Sequence, residues 1–292
     1  MSSTQHTKAP LLATLLACAA LTAVTTAHAH QVWLENTGGQ ARLHFGEFNE
    51  NLRETSPGAL DKFKGVPALE QQSTSAAAQP VQGQLGKDAF NYTVAGTPQT
   101  LFVAPAYPLI DRSKRNLPAM YWQPSARWVA SLAQPVTPTA PLDLVPTGKP
   151  GELKVVYKGA PLPKAKVQLA APSGWTREAE AGEDGTVTFV TPWKGQYVAE
   201  VKHSDKTPGE VQGEKYGEAS YVTTLTFVLA DGMASPALPE PPKAHRAPAA
   251  AQANHKPPPS RGAWRCLGTP GRSAFISTKM GCSALPTSAD SY

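Results

Sequence analysis

Seven histidines occur in this chain, and three of them fall where they could hold a metal. Imidazole nitrogen suits nickel, copper and zinc, and mixed nitrogen and carboxylate sets extend that range to cobalt. His30 stands directly after Ala27-His28-Ala29, a stretch with the small-residue pattern of a signal-peptidase site. A cut after Ala29 leaves His30 first, with a free α-amine beside its imidazole, and those two nitrogens can chelate one ion. A cut after Ala27 leaves His28-Ala29-His30, and a histidine third from a free amine can bind copper(II) or nickel(II) in a square-planar site. His44 lies two residues past Arg42 in an alternating stretch, so the two side chains share one face of a strand. Glu47 and Glu50 follow closely. His203 ends an alternating stretch and enters Ser204-Asp205-Lys206-Thr207-Pro208-Gly209-Glu210, a loop of the kind that often presents ligands. The candidate metal set is therefore His30, His44, His203 and Glu47, with nickel, cobalt or copper as the ion. Spacing alone does not bring these residues together. A buried or solvated structural histidine is the competing reading for His44 and for His203, and Arg53 pairing with Glu47 or Glu50 would explain the acids as loop fasteners.

The elements that must position these groups follow from the rest of the chain. Residues 1–29 read as a secretory signal peptide: Lys8 gives a small positive region, and residues 10–24 form an apolar stretch short for a membrane span. Leu15-Leu16-Ala17-Cys18 resembles a lipid-attachment box, but the apolar run continues to Val24 and a better cleavage site follows, which favours a periplasmic or secreted product over a lipoprotein. No later stretch is apolar and long enough for a spanning helix.

The formal charge of +5 is unevenly spread. Residues 30–232 carry 19 Lys and Arg against 20 Asp and Glu, a net of −1. A nearly neutral body without a basic face excludes nucleic acid as a partner. The three cysteines, Cys18, Cys266 and Cys282, lie outside that body. It must hold itself together by its core, which about 200 residues can supply.

Turn residues every eight to twelve positions, with alternating stretches between them, predict an all-β fold of two β-sandwich domains. Residues 31–35 and 41–45 flank Asn36-Thr37-Gly38-Gly39-Gln40 as a hairpin, and residues 89–94 and 99–103 repeat that pattern around Ala95-Gly96-Thr97-Pro98. Residues 51–63 are the one stretch suited to a short helix. Pro135, Pro138 and Pro141 mark an extended join between an N-terminal β domain (30–140) and a second domain (141–232). Strands over 152–157, 165–169, 186–190, 195–201 and 221–229, with Glu183-Asp184-Gly185 as a hairpin turn, give the second domain an immunoglobulin-like or transthyretin-like pattern. Residues 233–292 hold ten prolines without hydrophobic periodicity and read as a disordered tail. Most of the tryptophans are expected in the core. No nucleophile elbow, phosphate loop or His-Glu-x-x-His helix is present, and the body has no cysteine nucleophile, so an enzyme is not expected.

Taken in order, His30-Gln31-Val32-Trp33-Leu34-Glu35, Phe45-Gly46-Glu47, Leu52-Arg53-Glu54-Thr55-Ser56-Pro57-Gly58, Pro141-Leu142-Asp143-Leu144-Val145-Pro146, Tyr157-Lys158-Gly159-Ala160-Pro161-Leu162, Gly182-Glu183-Asp184-Gly185, and His203 with Thr207-Pro208-Gly209-Glu210 and Thr223-Thr224-Leu225-Thr226-Phe227 form a pattern over residues 30–238. It resembles the bacterial exported proteins grouped as domain of unknown function 4198, often labelled periplasmic components of cobalt or nickel uptake. The resemblance implies a leading histidine at His30, a later one at His203, and service to an inner- or outer-membrane transporter that this chain does not itself contain. The reading is then an exported protein binding nickel, cobalt or copper for uptake or buffering. Its alternative is a metal-free envelope interaction module for a membrane receptor or a glycan.

Overall fold

The computed structural model describes residues 30–73 and 77–242, so the expected signal peptide and most of the expected tail lie outside the described residues. The described part is all-β. Among the described residues the helical turns are three short 3-10 turns, Phe48–Glu50, Ala59–Lys62 and Ser113–Arg115, the second falling within the stretch suited to a helix. No helix among them is long and apolar enough to cross a membrane.

An eight-stranded sheet forms the centre, in the order Thr176–Glu180, Lys166–Ala170, Gly195–Asp205, Glu218–Leu229, Met120–Val129, Thr100–Val103, Leu69–Gln72, Gln79–Val81. The pairing of Glu218–Leu229 with Met120–Val129 is parallel and joins the last strand of the fold to one that precedes the proline-rich join. The two sandwiches therefore share this sheet. One core gathers Leu144, Val155, Val167, Tyr197, Leu225 and Phe227. The other gathers Leu34, Phe45, Phe63, Leu101, Trp122 and Trp128. The strand Glu218–Leu229 serves both, because successive side chains point to opposite faces: Tyr221, Leu225 and Phe227 enter the first core, and Val222 enters the second.

The smaller sheets cover these cores. Leu142–Pro146, Glu152–Tyr157, Ala160–Pro161 and Thr186–Thr188 form one. Gln31–Thr37, Gln40–Glu47, Phe90–Thr93 and Gly83–Leu85 form the other, with Leu52–Arg53 added beside Gln40–Glu47. The first hairpin closes on Gly38 and Gly39, both at positive φ (59° and 81°), which matches the twist that two-residue hairpin loops require. Gln31–Thr37 is the edge strand of its sheet. Thr224 Oγ1 donates to the Val32 carbonyl at 2.7 Å, so a backbone acceptor on that buried strand is satisfied by the central sheet.

Residues 89–94 and 99–103 do not form the expected hairpin. Phe90–Thr93 pairs with Gln40–Glu47, while Thr100–Val103 enters the central sheet between Met120–Val129 and Leu69–Gln72. The Gln71 side chain bonds both the amide and the carbonyl of Ala95 and fixes this corner, so the chain changes sheets where alternation alone suggested a reversal. Met120–Val129 was masked in the sequence by Pro124, a residue that argues against a central strand.

Candidate functional site

The site begins with a tight reversal. After Gln40–Glu47 the chain makes the 3-10 turn Phe48–Glu50, closes it at Asn51 with φ 53°, and returns as Leu52–Arg53 paired to Gly46 and Glu47. Gly46 has φ 143°, and a Cβ there would stand 2.3 Å from the Leu52 carbonyl oxygen, so only glycine allows the two segments to approach. The Glu54 amide then donates to the Phe45 carbonyl at 2.8 Å. This brings Glu54 beside Glu47 and opposite the head of the first strand.

His30 occupies that head. Its Nε2 donates to Glu54 Oε1 at 2.5 Å, and its Nδ1 lies 3.7 Å from Glu47 Oε1. The imidazole is 31 % exposed, whereas Glu47 is buried. The Phe45 ring packs against it at 5.0 Å between centroids. Glu200 and Lys202 stand nearby on the central sheet, joined at 2.7 Å. Burial pushes the Glu200 carboxyl up and the Glu47 charge adds to this, while Lys202 opposes it. Beside His30 a cleft of about 290 Å³ is lined by Phe45, Tyr107, Ile110, Met120, Trp122 and Val222.

The other two candidate histidines lie elsewhere. His44 pairs with Trp33 across the hairpin and is fully buried, three places along its strand from Glu47 and thus on the opposite face from it. It stacks on Trp33 at 5.2 Å, its Nδ1 donates to the Asp88 carbonyl at 3.0 Å, and its Nε2 is 3.5 Å from Glu35 Oε2. Glu35 is the centre of this second cluster: it also accepts from Trp33 Nε1 at 3.0 Å, Arg53 Nη2 at 2.9 Å and Gln196 Nε2 at 3.3 Å. Burial raises the Glu35 carboxyl, but His44, Trp33 and Arg53 together outweigh burial and hold it well below the usual carboxylate range. Arg53 thus pairs with Glu35, a carboxylate from the first strand.

His203 is on the strand that carries Lys202 and points to the other face, where its ring lies 4.2 Å from that of Tyr157. Tyr157 Oη and Lys158 Nζ both donate to Asp205 Oδ2, at 2.6 and 2.8 Å. Burial pushes the His203 imidazole pKa down; Asp205 counters this and Lys158 reinforces it. Of the expected set, the fold therefore brings together His30 and Glu47, adds Glu54, and keeps His44 and His203 apart from them. Glu54 was readable only as part of Leu52-Arg53-Glu54, because its approach depends on the Gly46 reversal.

The donor chemistry of His30, Glu47 and Glu54 fits a borderline divalent ion. Among the described residues no group of three or more His, Cys, Asp or Glu side chains stands ready spaced around a metal position. Glu54 meets Nε2 and Glu47 faces Nδ1, so the two carboxylates flank opposite nitrogens of the one imidazole, and the Nδ1 side is where an ion would join His30 to Glu47. Three of the expected core tryptophans, Trp33, Trp122 and Trp128, are buried, whereas Trp175 is exposed.

Fold and site together define an all-β protein with two cores around one shared sheet and a histidine–carboxylate cluster at the head of its first strand. No family model matches the chain, and no curated protein sequence matches it.

Proposed function

We propose that this is an exported protein that binds a late transition-metal ion, nickel, cobalt or copper, in the periplasm for uptake or buffering, handing it to a membrane transporter. The observation that carries the reading is the partly exposed His30 imidazole held between two carboxylates, Glu54 at 2.5 Å and Glu47 at 3.7 Å. A mature terminus at His30 chelates the ion through its α-amine and Nδ1, the nitrogen that faces Glu47 as the carboxylate ligand, while Glu54 holds Nε2 and orients the ring. The resemblance of residues 30–238 to the exported family described above supports the same class of cargo. His44 and His203 are structural: one is buried between Trp33 and Glu35, the other is packed on Tyr157.

The test uses protein purified from the periplasm. Its N-terminus is sequenced, and binding of nickel(II), cobalt(II) and copper(II) is titrated calorimetrically on the same sample. The expected result is one-to-one binding that His30→Ala abolishes, Glu54→Gln weakens and His203→Ala leaves unchanged. Binding that survives His30→Ala undiminished overturns the assignment.

A further inference from the structure

The end strand of the central sheet, Thr176–Glu180, borders an exposed aromatic pair that shares no residue with the His30 cluster. Trp175 immediately precedes this strand and is 67 % exposed. Its ring meets that of Trp193 at 6.0 Å between centroids and 90°, so the two indoles form a right-angled corner. A cleft of about 370 Å³ opens there, lined by Leu169, Ala171, Trp175, Arg177, Trp193 and Tyr197. Val190, itself 74 % exposed, extends the apolar rim. Two exposed apolar side chains, Trp175 and Val190, thus adjoin one cleft and do not stand singly on the surface.

The backbone that carries both indoles is fixed before any ligand arrives. The Ala171 amide donates to the Trp175 carbonyl and the Gly174 amide to the Ala171 carbonyl, each at 2.8 Å. Gly174, at φ 83°, sits where a Cβ would be 2.4 Å from the Asn49 carbonyl oxygen, so this loop is seated against the rest of the fold. Around Trp193, its own amide donates to Tyr197 Oη at 3.0 Å, and Tyr197 Oη donates to its carbonyl at 2.9 Å. The Met233 amide donates to the Pro192 carbonyl and the Lys194 amide to the Met233 carbonyl, at 2.9 and 3.0 Å. A fixed backbone lowers the ordering cost of binding at these two positions.

Charge narrows the ligand. Arg177, two residues past Trp175, projects to the same side of the strand. Among the described residues its guanidinium has no ion pair, and the neighbouring Glu178 is engaged by Lys166 at 3.2 Å. A guanidinium in this position recognises a carboxylate in bidentate fashion. A flat indole accepts the C–H face of a pyranose ring, and a second indole at right angles flanks the ring edge. We propose that this corner binds an acidic saccharide, a pyranose that lies on Trp175 and places its carboxylate on Arg177. Uronic-acid polymers and the lactyl-bearing sugars of cell-wall glycan share that chemistry.

The test is a tryptophan-fluorescence titration of the full chain with tetragalacturonic acid and, separately, with a muramic-acid-containing glycan fragment, and with neutral cellotetraose as the control. Saturable quenching by either acidic ligand, weakened by salt, supports the proposal, and the tighter of the two identifies the source. Trp175→Ala is expected to weaken it about tenfold, with Trp175→Phe partly restoring it. Arg177→Gln is expected to reduce the acidic ligand to the level of the neutral one. Because both residues are exposed, each variant should keep the wild-type unfolding midpoint, which is measured alongside. Absence of quenching by both acidic glycans, equal binding of cellotetraose, an unchanged Trp175→Ala, or binding of a proline-rich peptide in place of the glycans overturns it.

Discussion

The ion pair between Arg127 and Asp143 offers the sharpest test of how the two sandwiches are joined. Arg127 lies on the central strand before the proline-rich join and Asp143 on the first strand after it, and both are buried. The contact is bidentate, Nη2 to Oδ2 at 2.6 Å and Nε to Oδ1 at 3.2 Å. The carboxylate also accepts the amides of Thr139, Ala140 and Leu144 at 2.8, 3.2 and 3.0 Å, so it anchors the end of the join itself. Arg127 is further placed over the Phe102 ring, 4.8 Å from its centroid. Asp143→Ala leaves a buried guanidinium without its counter-charge, which costs about 3–5 kcal/mol. The orphaned amides add to this unless water reaches them. At about 2–4 °C per kcal/mol for a body of this size, the thermal midpoint should fall by about 6–20 °C. Arg127→Met combined with Asp143→Leu should recover much of that loss, since the charge is then removed with its partner. Thermal and urea unfolding at pH 7 measure both variants. A drop in Asp143→Ala no larger than that in Lys166→Ala, which removes an exposed pair, would refute the reasoning, and so would a double variant as unstable as the single one.

Gly46→Ala should both destabilise the fold and weaken metal binding, because its Cβ would overlap the Leu52 carbonyl oxygen and push away the segment that carries Glu54; a variant with wild-type affinity and midpoint contradicts that geometry. Stability should also depend on pH in two windows. The Glu35 carboxyl is lower in the folded chain than its ordinary 4.5, so the unfolded chain binds more protons and the Glu35 contribution, complete above about pH 4.5, is lost as the pH falls below it. The His203 imidazole is likewise lowered from 6.5, so stability should rise with pH up to about 6.5. Across pH 3 to 8 the acid slope of the unfolding midpoint should shrink in Glu35→Gln, the remainder coming from carboxyls such as Asp205 and Glu218 that hydrogen bonds also hold low, and the slope below about pH 6.5 should be lost in His203→Gln.

Much of the fold was legible in local patterns. Gly38-Gly39 between two alternating stretches specified the first hairpin, and the alternation of residues 152–157 and 165–169 specified strands, because a half-buried strand imposes period two on its own sequence. Partnership was not legible. Residues 90–93 and 100–103 looked like a hairpin and went to different sheets, since alternation says which face is buried and not which strand lies alongside. Met120–Val129 was hidden because burial on both faces erases alternation and because Pro124 argues against a central position.

The sequence by itself determined the all-β class, because turn chemistry and side-chain period act over a few residues. It also marked His30 and Glu47 as groups worth testing. Tertiary structure decided which groups meet. It set Glu54 against His30 through the Gly46 reversal, turned His44 into the opposite cluster with Glu35, and left His203 with Tyr157 on the far face of the central sheet. It also exposed Trp175 beside Arg177, where composition favoured a buried core position. The physical reason is the same in each case: a strand fixes the face of a side chain locally, but its neighbours come from segments far away in the chain, and only the packing of sheets selects them.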